Sequence, residues 1–137
     1  MADFKPAYHR TAKSEGGWNH VAGDRGGETY KGIARKFWPE WPGWKHIDAA
    51  KPLKHNQIIK SAVLDQLVLD FYKAQFWDKI QGDQLHFQDF ANELYDMAVN
   101  SGTSTAIKTA QRSAGISQTG KMDSLTLSTF NNTNATA

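Results

Sequence analysis

Three side chains near the N-terminus have types and spacing suited to acid–base chemistry: Glu15, Asp24 and Thr29, in S-E-G-G-W-N-H-V-A-G-D-R-G-G-E-T-Y-K-G, residues 14–32. Gly16 and Gly17 are the stop that helix C-termini favour, which places Glu15 in a last turn or cap. The negative end of a helix dipole disfavours an ionised carboxyl, and desolvation by Trp18 acts in the same direction. Glu15 is therefore expected to titrate above the usual carboxylate range. A carboxylic acid kept protonated near neutrality can protonate the leaving oxygen of a glycosidic bond. Asp24 would be a second carboxylate, activating a water or steadying positive charge, and the Thr29 hydroxyl would hold that water. Inversion at a sugar needs carboxyl groups about 6.5–9.5 Å apart. The same residues also fit plain turn chemistry, with Glu15 on the surface beside a turn and Asp24 in an Asx-turn.

The elements that must position these groups read as mainly α, or α+β with a minimal hairpin, in one domain. Asp3 caps a helix reaching about Ser14, with Pro6 in its first turn and Phe4, Tyr8 and Ala12 as its buried stripe. Residues 18–29 read as a loop or short hairpin, and a short helix is expected from Tyr30 to Phe37, ending before Pro39. The segment W-P-E-W-P-G-W, residues 38–44, reads as irregular. The strongest helix is expected from Asn56 to about Ile80, its face drawn through Ile59, Val63, Leu67, Phe71, Phe76, Trp77 and Ile80. Gln81-Gly82-Asp83 breaks it. Further helices are expected over 85–101 (ended by Gly102), 106–114 (closed by Gly115) and 124–130, before a frayed polar tail at 131–137. Trp77 reads as core.

Composition narrows the classes. The chain has 137 residues, 39% hydrophobic and 22% charged, ordinary values for a globular domain. Its formal charge of +2 is too slight for a nucleic-acid stripe, so no nucleic-acid partner is expected. There is no cysteine, and no apolar run reaches transmembrane length, so no stable membrane insertion is expected. None of the five histidines falls in a metal-ligand spacing, and no nucleotide-binding or serine-hydrolase motif occurs; neither metal nor cofactor is expected. His20 reads as a solvated loop residue.

The segments E-G-G-W at 15–18 and D-R-G-G-E-T-Y-K-G-I at 24–33 together resemble the signature of the glycosyl hydrolase 108 family, lysozyme-like N-acetylmuramidases of bacteria and their phages. F-Y-K-A-Q-F-W-D-K-I at 71–80, D-M-A-V-N-S-G at 96–102 and A-I-K-T-A-Q-R-S-A-G-I at 106–116 extend the resemblance in order. The last two resemble the family's companion peptidoglycan-binding segment. Arg25 stands where the family has proline, and Trp18 where it has tyrosine. The order Glu, eight residues, Asp, four residues, Thr also resembles the triad of phage-type lysozymes.

The resemblance implies a lysozyme-like domain, with residues 1–82 as the catalytic half and 83–130 as a helical half packed in the same domain. It implies a monomer that cleaves the β-1,4 bond after N-acetylmuramic acid in peptidoglycan glycan strands. Glu15 would be the general acid, with Asp24 and Thr29 positioning water for inversion. Trp18, Tyr30, Asn100 and Trp44 are candidates for the sugar cleft. Asn100 equally suits a helix cap, and Trp41 with Trp44 equally suits a packed lid. A lytic transglycosylase and a non-catalytic wall-binding module remain alternatives. The first ten residues lack an apolar h-region, so delivery to the wall through a holin or a secretion machine is expected.

Overall fold

A computed structural model describes residues 1–12, 16–20 and 27–133. The elements are α1 Phe4–Ala12, β1 Trp18–His20, β2 Glu28–Tyr30, β3 Ile33–Ala34, α2 Gly43–Ala50, α3 Ala62–Tyr72, α4 Gln88–Ser101, α5 Thr103–Ser113 and α6 Ser124–Thr133. The protein is mainly α with a small β component, as its composition and periodicity suggest. The three strands form one antiparallel sheet in the order β1-β2-β3, one strand more than a minimal hairpin. Contacts group the chain into two units, Ala12–Asp70 and Met1–Thr11 with Phe71–Ala137.

The helical unit (Met1–Thr11 with Phe71–Ala137) is built around aromatic rings. Phe4 lies 5.7–5.9 Å from the rings of Tyr8, Trp77 and Tyr95. Trp77 is fully buried, in a π-helical turn Lys73–Trp77 that continues α3. A Cβ on Gly82 would run into the Trp77 indole, so the glycine in Q-G-D is there for close approach. Helix α4 buries Ala91, Leu94, Tyr95 and Ala98, and α5 buries Ala106, Ile107 and Gln111. Gly102 and Gly115 end these helices with φ of +96° and +76°, where a side chain would be strained. Buried Gln111 is satisfied from both ends of its amide. Its Nε2 donates to Thr119 and Thr126 hydroxyls at 2.9 Å, and its Oε1 accepts from Gly120 N–H at 3.0 Å. Helix α6 runs past the expected end at Phe130. Asn131 accepts from His86 N–H at 2.9 Å and donates to the Gln84 carbonyl at 3.0 Å, which anchors that turn.

In the sheet unit (Ala12–Asp70) the structure departs from three sequence expectations. Residues 30–37 are not helical: Lys31 (φ +48°) and Gly32 (φ +83°) form a two-residue turn between β2 and β3. Positive φ at both central positions is the type I′ geometry that matches strand twist. W-P-E-W-P-G-W is irregular through Pro42, as expected, with Trp41 and Trp44 buried and Trp38, Pro39, Glu40 and Pro42 exposed. Its last two residues open α2, because Pro42 at the N-cap has the φ of −65° that a first turn needs. Residues 56–61 are outside α3, which starts at Ala62; Gln57 instead bridges to Trp18. The first turns of α3 also shift their face by one residue, although Phe71 is buried as expected. Leu64 (0%) and Val68 (1%) are buried, whereas Val63 is 58% exposed.

Candidate functional site

Gly17 and Trp18 enter the sheet between two neighbours. Gly17 carbonyl accepts from Lys31 N–H at 3.2 Å, while Trp18 N–H donates to the Gln57 carbonyl at 2.9 Å. Asn56 N–H returns a bond to the Trp18 carbonyl at 2.7 Å. A Cβ on Gly17 would collide with the backbone of Asn56 and Gln57, so this position must be glycine. Gly17 and Trp18 are thereby fixed on both sides.

Strand register sorts the candidate residues between two faces, because directly opposed residues of an antiparallel pair share a face and neighbours alternate. Trp18 pairs Tyr30, which pairs Ile33; Asn19 pairs Thr29, which pairs Ala34. Tyr30 and Ile33 are buried, so the Trp18 row is the core face. Thr29 is half-buried on the other face, at the centre of the sheet and opposite Asn19. Sequence reasoning thus gathers Trp18, Tyr30 and Thr29 in one sheet, but Thr29 turns away from the two rings.

The core-face row is anchored by charge. Trp18 Nε1–H donates to Glu28 Oε2 at 2.7 Å, and the same carboxylate pairs with Arg35 at 2.8 Å and Lys51 at 2.7 Å. Asp48 joins both cations, at 2.8 Å to Arg35 and 2.9 Å to Lys51. Burial pushes the Glu28 carboxyl up, but hydrogen bonds from Lys51, Trp18 and Arg35 outweigh it and hold the group below its ordinary range. Hydrogen bonds from Arg35 and Lys51 likewise hold Asp48 well below the usual carboxylate range. Hydrogen bonds to Asp48 and Glu28 raise Arg35. Burial pulls Lys51 down, but its bonds to Glu28 and Asp48 leave it raised. Four charges from β2, the β3 end, and α2 with its C-cap therefore stay ionised across the neutral range, and they clamp the hairpin.

Several expected contacts take other places. Tyr30 is fully buried and its hydroxyl accepts from Ile59 N–H at 3.0 Å; burial first, and then Asp65, raise its phenol. It is a core residue, not a cleft residue. Trp44 is 2% exposed, stacks edge-on to Trp41 at 5.3 Å, donates to the Trp38 carbonyl at 2.8 Å and lies under the Arg35 guanidinium at 5.1 Å. That ring is buried, so it presents no stacking wall; among the described residues of this unit the exposed Phe, Tyr and Trp rings are Phe37 (69%) and Trp38 (37%). Asn100 lies in the last turn of α4 in the helical unit and donates to the Asp96 carbonyl at 2.8 Å, while Gly102 takes the cap. His20 is exposed at the end of β1. Glu15 and Asp24 lie outside the described residues. Among the described residues no group of His, Asp or Glu is arranged to hold a metal, and no helix is long and apolar enough to cross a membrane.

Glu28, Arg35, Asp48 and Lys51 escape the sequence reading, as does Asn19. Only Glu28 has a local signal: once E-T-Y is taken as a strand, alternation puts it on the Tyr30 face.

Residues 8–102 match the family model described as Glycosyl hydrolase 108. No curated protein matches the chain. Among the solved structures that do, Brucella abortus SagA aligns with a TM-score of 0.61 at 25% identity, over 91% of this chain. The chain spans 66% of that chain's length, just under two thirds. The family match takes in the end of α1, both glycine-rich segments, the sheet and helices α2 to α4. The chain belongs to the glycosyl hydrolase 108 family.

Proposed function

We propose that this family member is a peptidoglycan hydrolase, an N-acetylmuramidase cleaving the β-1,4 bond between N-acetylmuramic acid and N-acetylglucosamine. Glu15 donates a proton to the leaving oxygen. Asp24 takes a proton from the attacking water, which Thr29 helps to hold, and the anomeric carbon inverts. The observation that carries this reading is the family match over residues 8–102, which contains E-G-G-W and D-R-G-G-E-T in order. The sheet adds support. Gly17 is locked between Lys31 and Gln57 two residues after Glu15, and Thr29 occupies the central strand on the face away from the core.

Release of reducing ends from defined peptidoglycan, with mass spectrometry of the products, tests the reading. Wild type is expected to give hydrolysed ends, and Glu15→Gln to lose on the order of 100-fold or more in rate, as removal of a general acid does. Unchanged release by Glu15→Gln would sink the assignment, and anhydro-muropeptide ends would replace hydrolysis with transglycosylation.

A further inference from the structure

Asn19 presents an imbalance that nothing else in the fold explains. Its Oδ1 is buried without a hydrogen-bond partner, the one such side-chain oxygen or nitrogen among the described residues. Buried acceptors are almost always satisfied, and leaving one unpaired is costly. Gln111 shows how the same fold treats a structural amide, with both ends bonded.

The position of Asn19 gives the imbalance a direction. Asn19 is the ladder partner of Thr29, and Thr29 is the partner of Ala34, so the three form one row across the sheet. Directly opposed side chains in such a pair have Cβ atoms about 4.5–5.5 Å apart, a gap one water can bridge. On the far side of Thr29 the row ends in Ala34, whose methyl carries no polar atom to compete for the hydroxyl. An oxygen that only accepts, beside a hydroxyl that donates or accepts, is a setting for a water with two polar partners.

We propose that Asn19 is a positioning residue: its Oδ1 and the Thr29 hydroxyl hold between them the water that attacks the anomeric carbon. The inference rests on the hydrolase reading above. In the reaction the water oxygen forms the new bond to the anomeric carbon as the glycosidic C–O bond breaks. One water proton passes to the carboxylate base and the acid's proton goes to the leaving oxygen. Asn19 exchanges no proton. By accepting from the water's other hydrogen it turns a lone pair toward the carbon, and that orientation is what raises the rate.

Steady-state kinetics of reducing-end release, measured with thermal melts on Asn19→Leu and Asn19→Asp, test this. Leucine fills a similar space without the acceptor. Asn19→Leu is expected to lower kcat about tenfold, the worth of one transition-state hydrogen bond, with KM within about twofold. Its Tm should stay within about 3 °C of wild type, because Oδ1 makes no hydrogen bond to the protein that leucine would remove. Asn19→Asp keeps an acceptor oxygen and should recover most of kcat. A structural asparagine would give a different stability result, so a fall in Tm beyond that range together with kcat overturns the proposal. Unchanged kcat also overturns it. A raised KM at constant kcat would assign the oxygen to an acetamido N–H of the glycan and overturn the role with water. If wild type releases no reducing ends, the hydrolase reading itself fails and this inference falls with it.

Discussion

Trp77 in the helical unit and Trp18 in the sheet unit both donate an indole N–H to a carboxylate, Asp83 at 2.9 Å and Glu28 at 2.7 Å. The resemblance ends there. Trp77 is fully buried among Phe4, Tyr95 and Gly82, while its carboxylate sits at the rim with a side chain 61% exposed. Trp18 is only half-buried, and it is the carboxylate that lies inside, 11% exposed and shared by Arg35 and Lys51. In one unit the ring supplies the stability and the hydrogen bond satisfies a leftover donor. In the other a charged group is the centre and the ring is fastened to it. The first arrangement draws on buried apolar area, which pH and salt barely touch. The second draws on ion pairs and fixed backbone geometry, which position a hairpin carrying Thr29 without needing a large core.

That contrast is most easily broken at its apolar end. Trp77→Ala is expected to destabilise by about 3–5 kcal/mol, as large-to-small changes at fully buried aromatic positions do. The deficit, measured by urea denaturation, should be the same at low and high salt. A loss below about 1 kcal/mol, or one that salt abolishes, would erase the distinction between the units. Next in size is Gly17→Ala, which forces a methyl into the backbone of Asn56 and Gln57. The expected cost is about 1–3 kcal/mol, the range for overpacking. Its local signature is faster hydrogen exchange at the Trp18, Lys31 and Asn56 amides, whose bonds define the strand edges. Unaltered protection there would show that the close approach does not hold the segment.

The same contrast explains what the amino-acid sequence reveals. Helices α4 and α5 are legible because Gly102 and Gly115 mark their ends and their apolar residues recur at one helical spacing. Trp77 is legible as core for the same reason. Helix α3 is legible in existence but not in phase. V-L-D-Q-L-V-L is apolar on more than one side, and Leu64 with Val68 wins over Val63 only through tertiary packing. The β1–β2 pairing falls where a loop or short hairpin is expected, but the β2–β3 hairpin is hidden because lysine holds a left-handed position where asparagine is the usual signal. Glu28 finds its cations 7 and 23 positions later, at Arg35 and Lys51, which Asp48 shares, and no local pattern links them. At the candidate site Thr29 is legible from its motif, whereas the Asn19 imbalance exists only once burial is known.

Glu28→Gln separates charge from hydrogen bonding in the sheet unit and is the smallest of these effects. The amide oxygen can still accept from the Trp18 indole, so what is removed is the anion facing Arg35 and Lys51. Those cations keep Asp48, and that outer pair is well solvated, with side chains 35–44% exposed, so its worth is modest. The expected loss at pH 7 is about 1–2 kcal/mol, below that of a fully buried broken pair. Its pH dependence has a definite sign. The Glu28 and Asp48 carboxyls are held below their ordinary values in the folded protein. Their contribution is therefore present above about pH 4, the ordinary carboxylate range, and is lost as pH falls through the depressed folded values. Wild type should lose stability over that acid window faster than Glu28→Gln does, and the two curves should converge. Lys51 and Arg35, held above their ordinary values, give support that is full below about pH 10 and fades only at higher pH. A gap between wild type and Glu28→Gln that stays constant from neutral to acid pH would mean that Glu28 acts by shape alone. The sheet unit would then be held as the helical unit is, by packing around a tryptophan.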